Sequence, residues 1–157
     1  LCGESDGQHK TPKTQIECAI DKINSHKKIS IQKVSCLYQT PAIGPGDQPD
    51  YINAAVKVET DLEAYELLDA LQSIEHQQGR IRQQRWGART LDLDLLIYDQ
   101  LIEDTAKLTL PHPRAHERAF VLAPLADLNP DLIIPNHGTV IDLLANCSMQ
   151  GIVKLSN

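Results

Sequence analysis

Between Arg85 and Tyr98 the chain reads RWGARTLDLDLLIY. Leu91, Leu93, Leu95 and Ile97 alternate with Asp92, Asp94, Leu96 and Tyr98. A period of two is that of a strand with one apolar face, so this stretch asks for a sheet with a covered side. Residues two apart on a strand share a face, which puts Asp92 and Asp94 side by side, about 6–7 Å apart along the chain. Two ionised carboxylates so placed repel each other, and a cation between them relieves the repulsion. Magnesium suits such a pair, because it takes one or two carboxylates and leaves its other positions to water and phosphate.

Arg80, Arg82, Arg85 and Arg89 lie just upstream, and no acidic residue falls between Glu75 and Asp92. All six arginines lie between Arg80 and Arg118, while the nine lysines are scattered from Lys10 to Lys154. An Asp-x-Asp pair alone reads as a half-buried strand with solvated aspartates. With an arginine-rich loop and the turn at Gly87 beside it, a site for a magnesium-bound polyphosphate is the better reading. Arginine presents a planar fork to phosphate; the competing reading, a set of surface ion pairs, gives the cluster little to do.

The net charge of −6 argues against a general nucleic-acid binder. A chain of 157 residues, 41% apolar and 23% charged, is expected to be one soluble domain over 1–157. Cys2, Cys18, Cys36 and Cys147 form no C-x-x-C pair and have no zinc spacing with histidine. Cys18 and Cys36 fall at apolar positions and are expected to be core thiols. No apolar run is long enough to cross a membrane, no signal peptide is seen, and the reducing cytoplasm is the simplest compartment. The chain starts at Leu1 rather than Met, which suggests N-terminal processing, truncation or renumbering.

Thr11 and Pro12 read as a helix start, followed by Ile16, Ala19, Ile20 and Ile23 at helical spacing. Ile29 and Ile31 begin a strand whose apolar phase shifts to Val34, Cys36 and Tyr38, which predicts a bulge. TPAIGPGDQP, from Thr40 to Pro49, is a loop. A strand over 53–59 and a helix over 62–77 follow, with Gly79 as its stop. After the central strand come a turn at 98–101 into a short hairpin strand, a loop over 108–120 entering a short helix, a turn at Asn129-Pro130, and a helix over 139–146. The order predicts an α+β fold, a ferredoxin-like β-α-β-β-α-β sheet with helices packed on it and a C-terminal extension. Such folds host unrelated functions.

Three further clusters stand out. Tyr51 and Asn53 could stack a flat heterocycle and read its edge, or Tyr51 could simply cover the core. In PHPRAHERAF, Phe120 is the only phenylalanine and could close a sandwich with Tyr51, while His112 and Arg118 could reach phosphates. The alternative is a proline-bounded turn with a solvated helix face. Trp86, the only tryptophan, reads as a packing anchor for the arginine loop.

The segments YQTPAIGPGDQPDYINAAVKVET, IEHQQGRIRQQRWGARTLDLDLLIY and LPHPRAHERAFVLAPL resemble 6-hydroxymethyl-7,8-dihydropterin pyrophosphokinases of folate biosynthesis. The likeness runs from about Pro12 to Pro135, and R-x-G-x-R-T-L-D-L-D is its most specific part. The resemblance implies transfer of a pyrophosphoryl unit from ATP to the pterin hydroxymethyl group, with release of AMP. It implies that Asp92 and Asp94 are ligands of two magnesium ions. Thr40, Pro41 and Ile43 are implied as pterin-pocket backbone and wall, and Tyr51, Asn53 and Phe120 as the pterin stack and its hydrogen-bonding partner. Gln72, Glu75, Trp86, Arg89, Thr109, His112 and Arg118 are implied on the ATP side. Arg80 and Arg89 are implied as catalytic arginines of a mobile loop, so closure of residues 79–87 over bound ligands is expected. ATP and a pterin are the expected partners, with no nucleic acid or membrane, and a monomer is expected.

The chain departs from the family pattern at Pro113, where an aromatic is frequent, and at Lys107, where an arginine is common and the fork is lost. The family's apolar first strand ends in Gly-Ser-Asn, whereas this chain has LCGESDGQ. Gly3 and Glu4 suit a buried strand poorly. Residues 1–5 are therefore expected to fill the first-strand position only as a weak, frayed strand. Asp6-Gly7-Gln8-His9 is expected to lack the contacts of a Gly-Ser-Asn loop.

Overall fold

The structure is a computed structural model and describes residues 11–41, 50–79 and 91–155. The chain falls into two compact units, Leu1–Ile31 with Val58–Leu95, and Gln32–Lys57 with Leu96–Asn157.

In the first unit, helix α1 covers Pro12–Ser25. The Thr11 side chain accepts the Thr14 N–H at 3.2 Å, and Pro12 stands at the first turn, where a missing N–H costs nothing. Helix α2 covers Ala64–Gly79. Its start uses half of a capping box: the Glu66 carboxylate accepts the Glu63 N–H at 3.0 Å. Ala64, Leu67, Leu68, Leu71 and Ile74 are buried at helical spacing, and Cys18, Ala19 and Ile23 are buried on α1. The two helices pack together and share a polar contact, in which buried Gln78 donates through Nε2 to Gln15 Oε1 at 2.7 Å.

Strands β1 (Ile29–Val34) and β4 (Val56–Thr60) pair with each other. Strand β2 (Leu37–Thr40) lies between β3 (Tyr51–Asn53) and β9 (Val153–Leu155), antiparallel to both. The phase shift after Lys33 is thus a full break between two strands and not a bulge within one. Ser35 and Ala55 hold the break: Ser35 N–H donates to the Ala55 carbonyl, and Ala55 N–H to Ser35 Oγ, both at 2.9 Å. The serine hydroxyl replaces a main-chain acceptor, so the ladder can end without an orphaned buried donor.

The rest of the second unit consists of the hairpin of β5 (Glu103–Asp104) with β6 (Thr109–Leu110), helix α3 (Ala119–Leu128), the hairpin of β7 (Ile133–Ile134) with β8 (Gly138–Thr139), and helix α4 (Val140–Ala145). A single 3-10 turn, Ala115–Glu117, precedes α3. The core of this unit gathers Ala55, Leu122, Leu125, Leu128, Ile134 and Val140. Cys36, expected in the core, is only half-buried.

The fold is α+β, as the sequence predicts, with small antiparallel sheets and four helices among the described residues. Residues 91–98 differ from expectation, because they join none of the sheets formed by the described residues. Their burial still alternates at first: Leu91 is buried, Leu93 half-buried, and Asp92 and Asp94 exposed. The expectations for residues 1–9 and for the loop at 80–87 fall outside the described residues.

Candidate active site

Asp92 and Asp94 belong to the first unit. Leu91, 8% exposed, fixes the start of their segment in the core, and the exposed aspartates flank an inward-leaning Leu93. Glu75 on α2 holds this arrangement from behind: its Oε2 accepts the Leu93 N–H at 2.8 Å. A charged acceptor makes this a strong hydrogen bond, and its donor is the peptide group between the two aspartates. Gln72 is exposed one turn before Glu75 on the same helix. Sequence reasoning put Glu75 among the ATP contacts and missed this bond; no periodicity signals a side chain that binds a backbone amide 18 residues away.

The pterin candidates belong to the second unit. Tyr38 faces Asn53 and Thr40 faces Tyr51 across the β2–β3 ladder. Residues directly opposite share a sheet face, so Tyr38, Thr40, Tyr51 and Asn53 line one face. Asn53 Nδ2 lies 3.4 Å from Thr40 Oγ1. Thr40 is buried, Asn53 half-buried, and Tyr51 47% exposed, so the tyrosine ring is open to a ligand. Pro41 follows β2 and is exposed.

That face looks toward α3, because Tyr38 Oη donates to Asp127 Oδ2 at 2.9 Å. Phe120 stands seven residues before Asp127, two helical turns, and so shares its side of α3. Tyr51 and Phe120 therefore lie on the same side of the sheet. Asp127 also accepts the Cys36 N–H at 3.1 Å and pairs with Lys154 at 3.5 Å. Burial, followed by the hydrogen bond and charge of Asp127, pushes the Tyr38 phenol well above its usual range. This carboxylate knot ties β2, α3 and β9 together; sequence reasoning missed it, since Asp127 carries no motif.

Arg118 immediately precedes α3, with its guanidinium carbon 5.5 Å from the centre of the Phe120 ring. Thr109 opens β6, and His112 follows the cis Leu110–Pro111 bond. The His112 N–H donates to the Leu96 carbonyl at 2.8 Å, and its Nδ1 accepts the Arg114 N–H at 3.3 Å. In the neutral ring this leaves the proton on Nε2, as a donor. Ile43, Arg80, Trp86 and Arg89 lie outside the described residues.

A family model described as 7,8-dihydro-6-hydroxymethylpterin-pyrophosphokinase matches residues 7–130. The chain belongs to this family. A relative from Haemophilus influenzae, 2-amino-4-hydroxy-6-hydroxymethyldihydropteridine pyrophosphokinase, is 41% identical over 146 residues, 93% of this chain and 91% of its own length. A Pseudomonas aeruginosa protein of the same name is 44% identical over 144 residues, covering 92% and 89%. The folic acid synthesis protein fol1 of Schizosaccharomyces pombe is 38% identical over 139 residues, 88% of this chain but 19% of that protein. The pyrophosphokinase match includes the aspartate segment, the Tyr51–Asn53 strand and the Arg118–Phe120 turn.

Proposed function

We propose that this chain carries out its family's reaction in folate biosynthesis: transfer of pyrophosphate from ATP to the hydroxymethyl group of 6-hydroxymethyl-7,8-dihydropterin, with release of AMP. The carrying observation is the exposed Asp92 and Asp94 on either side of Leu93, inside the segment the pyrophosphokinase family matches. The pterin hydroxyl oxygen bonds to the β-phosphorus as the bond to the α,β-bridging oxygen breaks. AMP keeps that oxygen, and the hydroxyl proton passes to solvent. Such transfer depends on alignment and charge neutralisation more than on covalent help from the protein.

The donor set fits magnesium. Among the described residues no cluster of three or more histidine, cysteine or acidic side chains could form a complete cage. Magnesium needs none, since two carboxylates suffice when water and phosphate fill the remaining positions. Asp92 and Asp94 would hold two such ions, which supply neutralisation of the polyphosphate and oxygen-ligand alignment. Tyr51 and Phe120 stack the pterin, Asn53 reads its edge, and Thr40, Pro41 and Ile43 form its wall. Gln72, Trp86, Thr109, His112 and Arg118 bind ATP, with His112 Nε2–H as a phosphate donor. Arg80 and Arg89 act on the transferring phosphates and exclude water.

In this reading the chain is one domain of ferredoxin-like order, a monomer of the cytoplasm, with no nucleic-acid partner. The net charge of −6 supports the last point. Among the described residues Cys18, Cys36 and Cys147 form no disulfide, and no described helix is long and apolar enough to cross a membrane. The test is AMP release from ATP in magnesium, with and without the hydroxymethyl pterin. Pterin-dependent AMP supports the reaction; AMP release indifferent to pterin contradicts it.

A further inference from the structure

We infer that Glu75 is a positioning residue that sets the direction of both aspartates through the amide of Leu93, and this rests on the reading of Asp92 and Asp94 as the metal pair. The Leu93 N–H belongs to the peptide group joining Asp92 to Leu93, and Glu75 Oε2 holds it at 2.8 Å. In an extended segment the N–H direction of one residue fixes where its neighbours' side chains project. With Leu93 leaning inward, Asp92 and Asp94 must both lean outward, which is the burial observed. The segment joins no sheet of the described residues, so no described ladder fixes its rotation. Leu91, buried at one end, fixes position along the chain, and the Glu75 bond constrains rotation about it at Leu93. Glu75 in turn sits on a helix whose inner face is packed by Leu71 and Ile74, which makes it a rigid support.

A role through reach and a role through charge predict opposite orders for two conservative variants. Glu75→Gln keeps an acceptor at the same reach and removes the charge. Glu75→Asp keeps the charge and withdraws the acceptor by one methylene. The measurements are the exchange rate of the Leu93 amide and the affinity for Mn2+, with an ATP analogue carrying a methylene bridge between the α- and β-phosphorus. Asp92→Ala serves as the control.

If Glu75 positions the pair, Glu75→Asp speeds Leu93 exchange and weakens Mn2+ binding by about 10-fold or more, as supporting residues of metal sites commonly do. Glu75→Gln then stays within about threefold of wild type on both readouts, on the same scale. The reverse order, or wild-type Mn2+ affinity in Glu75→Asp despite faster exchange, overturns the inference. A raised KM for ATP in both variants with unchanged Leu93 exchange also overturns it, in favour of a direct nucleotide contact. Loss of the metal reading shows separately, as unchanged Mn2+ affinity in Asp92→Ala, and the inference falls with it.

Discussion

Asp92 and Asp94 are both exposed, so their replacement opens no cavity in the core and tests the chemistry directly. Asp92→Ala or Asp94→Ala is expected to cut pterin-dependent AMP release by about a thousandfold or more. Metal stabilisation of a transferring phosphoryl group is worth several kcal/mol, and each ~1.4 kcal/mol is tenfold in rate. Thermal unfolding should show the same variants still folded at the assay temperature, and wild-type turnover in saturating magnesium would end the metal assignment. Tyr38 shows the opposite balance, a buried hydroxyl that serves the fold. Its folded pKa is raised above the ordinary value of 10.0, chiefly by burial and then by Asp127, so the fold favours the protonated phenol. That stability is complete below the unfolded pKa and is lost as pH climbs from there through the raised folded value. Denaturant unfolding should therefore show stability declining above about pH 10. Tyr38→Phe should lose roughly 1.5–3 kcal/mol at neutral pH, the value of a hydrogen bond to a charged group, and should flatten the alkaline decline.

At the scale of elements, β2 and β3 place Tyr51 and Asn53 on the side of the sheet where α3 carries Phe120. Tyr51→Ala should weaken binding of the hydroxymethyl pterin by roughly 1–3 kcal/mol, if its stacking resembles that of bases on aromatic side chains. Calorimetric titration with pterin and with the ATP analogue separates the two ligands, and an equal loss for both would contradict the stacking role. The helices α1, α2 and α4 were legible in the sequence because each has a local signature: Thr11-Pro12, the Leu68–Leu71–Ile74 spacing, and a short amphipathic run from Thr139 to Asn146. The interruption at Ser35 and Ala55 was legible only as a change of phase, since its cause is a cross-strand bond from a serine hydroxyl. Strand β9 was not legible, because Val153-Lys154-Leu155 is too short to show a period and takes its conformation from β2. In the site, the alternating burial that leaves both Asp92 and Asp94 exposed beside Leu91 and Leu93 was readable from the sequence. The Glu75 bond to Leu93 was not, because one partner is a peptide group common to every residue but proline.

At the scale of the whole molecule, a ligand that binds only the folded chain stabilises it by mass action. The ATP analogue with magnesium, at 100 times its dissociation constant, should add about 2.7 kcal/mol. For a chain of 157 residues this raises the unfolding midpoint by roughly 5–10 °C. Chelation with EDTA should remove most of that shift, because the polyphosphate would then face two bare carboxylates; a shift unaffected by EDTA would mean that the nucleotide binds without metal. The Glu75–Leu93 bond also bears on how such chains diverge. Because Glu75 grips a main-chain donor, drift at position 93 is constrained by the ability to donate a hydrogen and to lean inward, while the particular apolar side chain is left open. A saturation library at position 93, selected for folate prototrophy, should return Ile, Val or Met alongside Leu and should lack proline, whose ring has no hydrogen to give. Inheritance at that position would then leave a mark as a missing letter, in a column that otherwise looks free to vary.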